Sequence, residues 1–302
     1  PDIRMILQML TSLNIQDFLY KASRGELDVS PASLDEFKED CYLSAKKQLK
    51  RQKRQWYIRM SGLGRPLCQQ MLDRDGVTEE MEYNAVFRFM YGDLTEAALM
   101  LVMKEAGVDI VDSQVSCELE LAGHKIKGTL DVILRDEAGV EKVWDIKSAS
   151  DWAFKNKYRG GYEKLLEEDP FGYVMQGYLY AESMKMPFGG WIVVNKSSGE
   201  ILEVPVPDWS QDDKQRYLDD AANRVRILLD KDSPFVKFSP EDETYRRSGE
   251  IIKTGNKVLP RNCGFCGYRA HCWPDAIIHD KITSKAKNPP RVWYTKLKKK
   301  EI

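Results

Sequence analysis

Apolar and polar residues alternate along two neighbouring stretches near the middle of the chain. Residues 125–134 (KIKGTLDVIL) and 141–147 (EKVWDIK) both follow this pattern and are rich in β-branched side chains. A period of two is typical of a strand, and the acidic residues and glycine between the stretches favour a turn. The pattern therefore predicts a β-hairpin that lays Asp131 beside Asp145.

Apolar residues recur at helical spacing in several other segments. This spacing predicts helices over residues 33–55, 87–107, 171–186 and 211–229, with strands at 190–195 and 201–206. Glu96 falls in the first turns of the second of these helices, and Gly107 is a suitable cap for its end. Residues 231–262 are polar, and we expect a long irregular excursion there.

The predicted hairpin carries a candidate hydrolytic site. Successive side chains of a strand point to opposite faces, so Asp145 and Lys147 share a face. Two carboxylates can hold Mg²⁺ or Mn²⁺, and a lysine beside them can position or deprotonate a water that attacks a phosphodiester. The alternative is an exposed hairpin whose charged side chains are merely solvated.

Two further segments carry polar side chains that suit such a site. Glu96 follows Gly92, which has no side chain and so permits close approach to a sheet or a ligand. Alternatively, Glu96 is an acid that the helix macrodipole favours near a helix N-terminus. Gln176 and Tyr180 lie four residues apart, on one helix face, where they can face a nucleic-acid backbone or simply pack.

The order of these motifs resembles the RecB-type branch of the PD-(D/E)xK nucleases. The motifs are GDLTE, GTLD, DIK and QGYLY, at residues 92–96, 128–131, 145–147 and 176–180. The resemblance covers residues 60–275. It implies an α/β restriction-endonuclease-like core, in which a mixed central sheet is flanked by helices.

The resemblance also implies a role for each motif residue. The metal ligands would be Glu96, Asp131, Asp145 and the carbonyl of Ile146, and Lys147 would activate water. Gln176 and Tyr180 match the element that supports the site and the DNA strand. Members of the family often have histidine where this chain has Glu96. Glutamate occurs in other branches of the superfamily, so this departure weakens that ligand and not the family resemblance.

Cysteine spacing points to a second metal centre. Cys263, Cys266 and Cys272 form a C-x2-C-x5-C pattern, which is compact enough to wrap a metal. The chain has six cysteines and shows neither a signal peptide nor a transmembrane run, which favours a reducing compartment and metal binding over disulfides. Zinc is one alternative, with His271 as a fourth ligand, although neighbouring residues rarely both reach one ion.

The family resemblance favours a [4Fe-4S] cluster over zinc. In iron-sulfur nucleases of this type, such as the AddB-like and CRISPR adaptation nucleases, three C-terminal cysteines join one distant upstream cysteine. Cys41 and Cys68 are both candidates for that partner. Cys41 lies in an apolar helical stripe that burial explains, whereas Cys68 follows a Gly- and Pro-marked turn and is preferred. Cys117 alternates with apolar residues on a strand and is predicted to be core.

Composition limits how the chain can bind nucleic acid. With 302 residues, 42% of them hydrophobic, it can bury a large core, but 46 basic and 47 acidic residues give a net charge of −1. Affinity for DNA must therefore come from local basic patches, for which a solvated helix face is the alternative. The candidates are Lys50, Arg51, Lys53, Arg54, Lys155, Lys157 and Arg159.

Together these patterns predict a cytoplasmic, Mg²⁺- or Mn²⁺-dependent DNA exonuclease of a prokaryote or phage. Its expected partners are DNA, single-stranded or with free ends, and recombination or repair proteins, without a membrane. The predicted segments are a basic helical part (1–60), a nuclease core with the cluster loop (61–275) and a basic tail (276–302). We expect the cluster to join the helical extensions at the two ends of the core. The alternative is a non-catalytic iron-sulfur or zinc DNA-binding accessory protein of recombination.

Overall fold

The computed structural model describes residues 10–50, 55–79, 83–167 and 169–298. Contacts between residues divide the chain into two units. The first comprises Pro1–Gly64 and Glu82–Leu229, and the second comprises Arg65–Met81 and Asp230–Ile302. Each unit therefore joins two separate segments, and those of the second unit are far apart in the sequence.

The helices and strands are as follows, numbered along the chain. The helices are α1 (Leu10–Ser23), α2 (Pro31–Leu49), α3 (Met60–Leu63), α4 (Leu67–Arg74), α5 (Tyr83–Glu105), α6 (Asp151–Asn156), α7 (Gly161–Glu167), α8 (Tyr173–Met184), α9 (Gln211–Leu229), α10 (Arg261–Gly264) and α11 (Arg269–Cys272). The strands are β1 (Ile110–Leu121), β2 (His124–Arg135), β3 (Glu141–Ala149), β4 (Phe188–Asn195), β5 (Ile201–Pro205), β6 (Glu241–Arg247), β7 (Glu250–Val258), β8 (Ile277–Asp280) and β9 (Arg291–Lys296).

A five-stranded mixed sheet forms the centre of the first unit. Its strand order is β1-β2-β3-β4-β5, and β3 and β4 are parallel while the other neighbouring pairs are antiparallel. The connection from β3 to β4 contains α6, α7 and α8, because a parallel pair needs a crossover. The predicted hairpin is present as β2 and β3, and the mixed α/β architecture is confirmed.

Helices cover both faces of this sheet. Trp144 and Ile146 of β3 pack in one apolar cluster with Leu99 and Met103, which lie four residues apart on α5. The intervening Asp145 points to the other face by strand alternation, where it meets Gln176 of α8. Strand β3 therefore contributes to the apolar core on one face and to a polar site on the other.

A four-stranded antiparallel sheet, in the order β6-β7-β9-β8, belongs to the second unit. Its buried Glu243 accepts hydrogen bonds from Tyr294 Oη (2.7 Å) and Asn256 Nδ2 (2.7 Å). Burial raises the pKa of Glu243, but these bonds outweigh burial and hold the pKa below its usual value. The ionised carboxylate therefore ties three strands together.

Several sequence-based boundaries are wrong. The polar stretch 231–262 contains β6 and β7 instead of an irregular excursion, and residues 276–302 contribute β8 and β9, so this end of the chain is not a helical extension. The helix predicted over 33–55 ends at Leu49, and the helix that carries Glu96 begins at Tyr83. Glu96 is therefore in mid-helix, beyond the reach of the macrodipole effect expected in a first turn.

Within the described ranges, no helix is long and apolar enough to cross a membrane.

Candidate functional site

The β2–β3 hairpin brings two carboxylates together in the first unit. Val132 pairs with Trp144 across the hairpin, so the next residues outward, Asp131 and Asp145, are neighbours. Asp131 Oδ2 accepts a hydrogen bond from the backbone N–H of Ile146 at 2.8 Å. This bond fixes the Asp131 carboxylate against β3, beside Asp145.

Asp145 is the buried centre of the site. It is 1% exposed, and its Oδ2 lies 2.5 Å from Lys147 Nζ. On its other oxygen, Oδ1, it accepts a hydrogen bond from Gln176 Nε2 at 3.2 Å, and the same amide nitrogen lies 3.4 Å from Tyr180 Oη. Gln176 and Tyr180 therefore lie on the site-facing side of α8, as their spacing of four residues requires.

Three glycines allow the helices to approach the strands this closely. A Cβ on Gly128, in the GTLD motif, would lie 2.6 Å from Cε1 of Tyr180. A Cβ on Gly177 would lie 2.4 Å from the ring of Phe188 on β4. At Gly92 of α5 a Cβ would stand 3.3 Å from Ser148 Oγ, so the close approach of helix and sheet expected there is present.

Glu96, which lies on α5, is the third carboxylate of the site. Its Oε1 accepts a hydrogen bond from Gln114 Nε2 at 2.8 Å. Gln114 has a φ of +51°, in the left-handed region that is costly for a residue other than glycine. Gln114 lies at an irregular position of β1 and was not predicted from sequence, since no motif or periodicity marks it.

Burial dominates the electrostatics of the site, and the neighbouring charges add to its effect or oppose it. Burial, followed by the neighbouring Asp131 carboxylate, raises the pKa of Glu96. Burial also raises the pKa of Asp145, although the adjacent Lys147 opposes the rise. Burial lowers the pKa of Lys147, but the Asp145 and Asp131 carboxylates outweigh it and raise the pKa, so the amine is protonated. Three carboxylates thus share one ammonium group.

This set suits a hard divalent cation. Carboxylate oxygens are the ligands that Mg²⁺ and Mn²⁺ prefer, and an added positive charge would favour the ionised forms of Glu96 and Asp145, which burial disfavours. The side chains converge without already forming a ligand shell: in the described part of the chain, no three His, Cys, Asp or Glu side chains are arranged to hold an ion. The backbone N–H of Ile146 donates a hydrogen bond to Asp131, and the Ile146 side chain packs in the apolar core.

The predicted basic residues differ in their surroundings. Lys155 pairs with Asp151 at 2.9 Å, and Arg159 pairs with Glu200. Lys157 is only 9% exposed. Lys50 is exposed, whereas Arg51, Lys53 and Arg54 lie outside the described residues.

Four cysteines converge in the second unit. Cys68 of α4 lines one small cavity together with Cys263, Cys266 and Cys272. Burial raises the pKa of Cys263 to about 12, and the other three thiols add to the rise because each disfavours a second negative charge nearby. The four thiols, all in the described part of the chain, therefore line one cavity without already being arranged around an ion.

Other groups around this cavity suit an anionic sulfur-rich centre. Lys237 and Arg269 line it and supply positive charge. The indole Nε1 of Trp273, also in the lining, is buried and has no hydrogen-bond acceptor among the described residues. A cluster sulfide or a cysteine sulfur could accept from this N–H. The residues present therefore fit an iron-sulfur cluster.

The remaining candidate ligands lie elsewhere. Cys41 is on α2, in the first unit. His271 is exposed and is not part of the cavity lining formed by the four cysteines. Cys117 is on β1 with its sulfur 3.9 Å from Met60 Sδ, a contact typical of packing.

Comparison with known proteins gives little further information. No protein-family model matches the chain, and no curated protein matches it. A solved structure titled "Crystal structure of SSO0001" is similar at 20% sequence identity with a TM-score of 0.39, covering 65% of this chain and 87% of that one.

Proposed function

We propose that the chain is a metal-dependent DNA nuclease of the RecB-type PD-(D/E)xK kind, which hydrolyses phosphodiester bonds at single strands or ends. The observation that carries the proposal is the cluster of Glu96, Asp131 and Asp145 around the protonated Lys147. A packed core has no need of three neighbouring carboxylates, two of which, Glu96 and Asp145, have pKa values raised by burial and by the nearby Asp131 charge.

The chain's own residues divide the work between binding and orientation. Glu96, Asp131 and Asp145 would hold Mg²⁺ or Mn²⁺, with the Ile146 carbonyl as a further ligand. Such an ion polarises the phosphate and lowers the pKa of a bound water. Gln176 fixes the rotamer of Asp145 through its amide, and Gln114 does the same for Glu96. Both interactions limit the motion of the carboxylates before substrate arrives.

Lys147 contributes as a cation in the state that the structure describes. Its raised pKa keeps the amine protonated while it faces Asp145, so it can stabilise charge that develops on the phosphate. To take a proton from water it must first lose its own. Neutralisation of the neighbouring carboxylates would favour this, since those carboxylates are what raise its pKa.

We further propose that Cys68, Cys263, Cys266 and Cys272 hold a [4Fe-4S] cluster, with zinc as the alternative. The convergence of the four thiols, the two nearby cations and the Trp273 indole N–H, which has no acceptor among the described residues, support this. The cluster would fix α4 to the loop that carries Cys263, Cys266 and Cys272. Helix α4 and this loop are almost 200 residues apart in the sequence. Ligation energy is then also folding energy.

The decisive experiment is incubation with end-labelled single-stranded, duplex and circular DNA in Mg²⁺ or Mn²⁺. We expect cleavage that EDTA abolishes and that Lys147→Ala reduces by roughly 10²- to 10³-fold, as when a transition-state charge stabiliser is lost. The control is Lys125→Ala, because Lys125 is an exposed lysine that pairs with Glu118 and belongs to none of the predicted sites. DNA binding without cleavage of any substrate would instead favour a non-catalytic accessory protein.

A further inference from the structure

Two aromatic rings and a second lysine lie beside Lys147. The Nζ atom of Lys147 lies 4.9 Å from the ring centroid of Tyr173. Lys157 Nζ lies 5.6 Å from the same centroid and 6.0 Å from that of Phe171. The Phe171 and Tyr173 rings are stacked, with centroids 5.4 Å apart and planes inclined by 27°.

The outer ring of this group is partly exposed. Phe171 is 38% exposed, whereas Lys157 is 9% exposed. Burying an ammonium is costly, so its position against two aromatic rings uses cation–π attraction to hold a charge close to the site. An exposed aromatic ring backed by a second ring and a cation is an arrangement that suits stacking with another planar group.

The backbone that carries these rings is fixed before any ligand binds. Gly172, between them, has a φ of +72°, which favours glycine. A Cβ at Gly172 would stand 2.2 Å from the carbonyl carbon of Gly64, so the two backbones are in direct contact. Asp169 Oδ2 also accepts a hydrogen bond from the N–H of Val174 at 2.8 Å. Stacking on this segment would therefore cost little ordering entropy.

We propose that Phe171 and Tyr173 form a stacking shelf for an unpaired base of the nucleotide next to the cleaved phosphate, with Lys157 attracting the phosphate of that nucleotide. The proposal rests on the proposed nuclease function and names its substrate feature. Every base has a π face, so the shelf accepts any sequence but needs a base free of its partner. A paired base in an intact duplex is already stacked and cannot occupy it.

Binding without turnover tests the shelf. The affinity of the parent and of Phe171→Ala is measured in EDTA for a single-stranded oligonucleotide and for a duplex. We expect Phe171→Ala to lose about tenfold in single-strand affinity, the scale of one base–aromatic stack, and to keep its duplex affinity. Phe171→Trp should retain single-strand binding. Phe235→Ala is the control, because Phe235 is a comparably exposed phenylalanine (42%) in the second unit.

An abasic scan locates the base on the shelf. One abasic site is moved along the oligonucleotide, and one position should weaken binding to the parent but not to Phe171→Ala. Three outcomes would each overturn the proposal. In the first, Phe171→Ala binds single strands as tightly as the parent does, and in the second it loses equal affinity for single strand and duplex. In the third outcome, the parent binds no single strand. A parent that binds with this pattern yet cleaves nothing in Mg²⁺ or Mn²⁺ would overturn the nuclease function and leave the shelf standing.

Discussion

Glu96 and its neighbours show how the proposed cation site is marked by the strain it places on its own residues. Burial and the Asp131 charge both disfavour the ionised form of Glu96, and Gln114 adopts a costly backbone conformation to donate to it. Such costs are usual where binding needs preorganised groups. They imply that the free protein is less stable than a variant without the repulsion.

Glu96→Gln tests this trade between stability and binding. Glutamine keeps an acceptor for Gln114 and removes one negative charge. Because the pKa of Glu96 is raised in the folded state, its ionised form costs stability, and we expect Glu96→Gln to gain about 1 kcal/mol at pH 8 and less at pH 5. Denaturant unfolding without divalent cations measures the gain. A loss of stability at pH 8 would show that Glu96 is not under repulsion.

Glu203 gives a separate pH dependence, away from the proposed ligands. It is 8% exposed on β5, and its Oε1 accepts a hydrogen bond from the backbone N–H of Ser12 at 2.6 Å. Burial raises its pKa to about 7 from an ordinary 4.5. Between these values the folded chain holds a proton that the unfolded chain releases, so this residue lowers the free energy of unfolding as pH rises.

We therefore expect Glu203→Gln to unfold with a flatter pH dependence than the parent between pH 5 and 8. The difference between the two proteins should grow with pH, to at most about 3 kcal/mol, since one pKa unit is worth about 1.4 kcal/mol. Urea unfolding at a series of pH values measures it. Parallel curves for parent and variant would mean that Glu203 has an ordinary pKa in the folded protein.

At the scale of whole elements, sequence predicts best where packing follows a period. The β2–β3 hairpin alternates, and α9 spans Gln211–Leu229 as its helical spacing predicts. Strand β6 was not predicted from sequence, because nearly all of its residues are charged or exposed and they form no apolar face. Its partner β7, which in turn pairs with β9, holds β6 in the sheet through hydrogen bonds that no local pattern encodes.

In the candidate site, the motif residues could be predicted from sequence, but the residues that contact and orient them were not predicted. Strand alternation and helical spacing were enough to expect Asp131 near Asp145 and Gln176 with Tyr180 on one face. Tyr173 could have been found, since it lies three residues before Gln176 on the same helix. Gln114 depends on a left-handed backbone conformation within β1, which is a tertiary feature without a sequence signal.

The packing of α8 against the sheet is tested at Gly177. We expect Gly177→Ala to destabilise the protein by about 1–3 kcal/mol, because its methyl group would meet the ring of Phe188 and overpack the core. Gly62→Ala is the control, since no heavy atom outside the immediate backbone lies within 4 Å of its Cβ position. Thermal unfolding of both variants measures the difference, and equal effects would contradict the close contact of α8 with β4.

At the scale of the whole molecule, the second unit is discontinuous in sequence. Arg65–Met81 joins Asp230–Ile302, and the first contributes Cys68 while the second contributes the other three thiols of the cavity. Segments drawn along the sequence, such as 61–275, cannot represent such a unit. A discontinuous unit loses much chain entropy on folding, so a metal that bridges its two segments would stabilise it strongly.

This makes the cysteines a test of both the cofactor and the fold. Anaerobically purified parent protein should be brown and contain iron, and Cys68→Ser should lose iron and visible absorbance. It should also lose hydrogen-exchange protection over residues 65–79 and 230–298, because ligation and folding of this unit are coupled.

Cys41→Ser is the matched control, since Cys41 lies on α2 in the first unit. Iron loss in the Cys41 variant alone would make Cys41 the ligand. A colourless parent with stoichiometric zinc would replace the cluster by zinc, while the exchange pattern would still report whether Cys68 holds the two segments together.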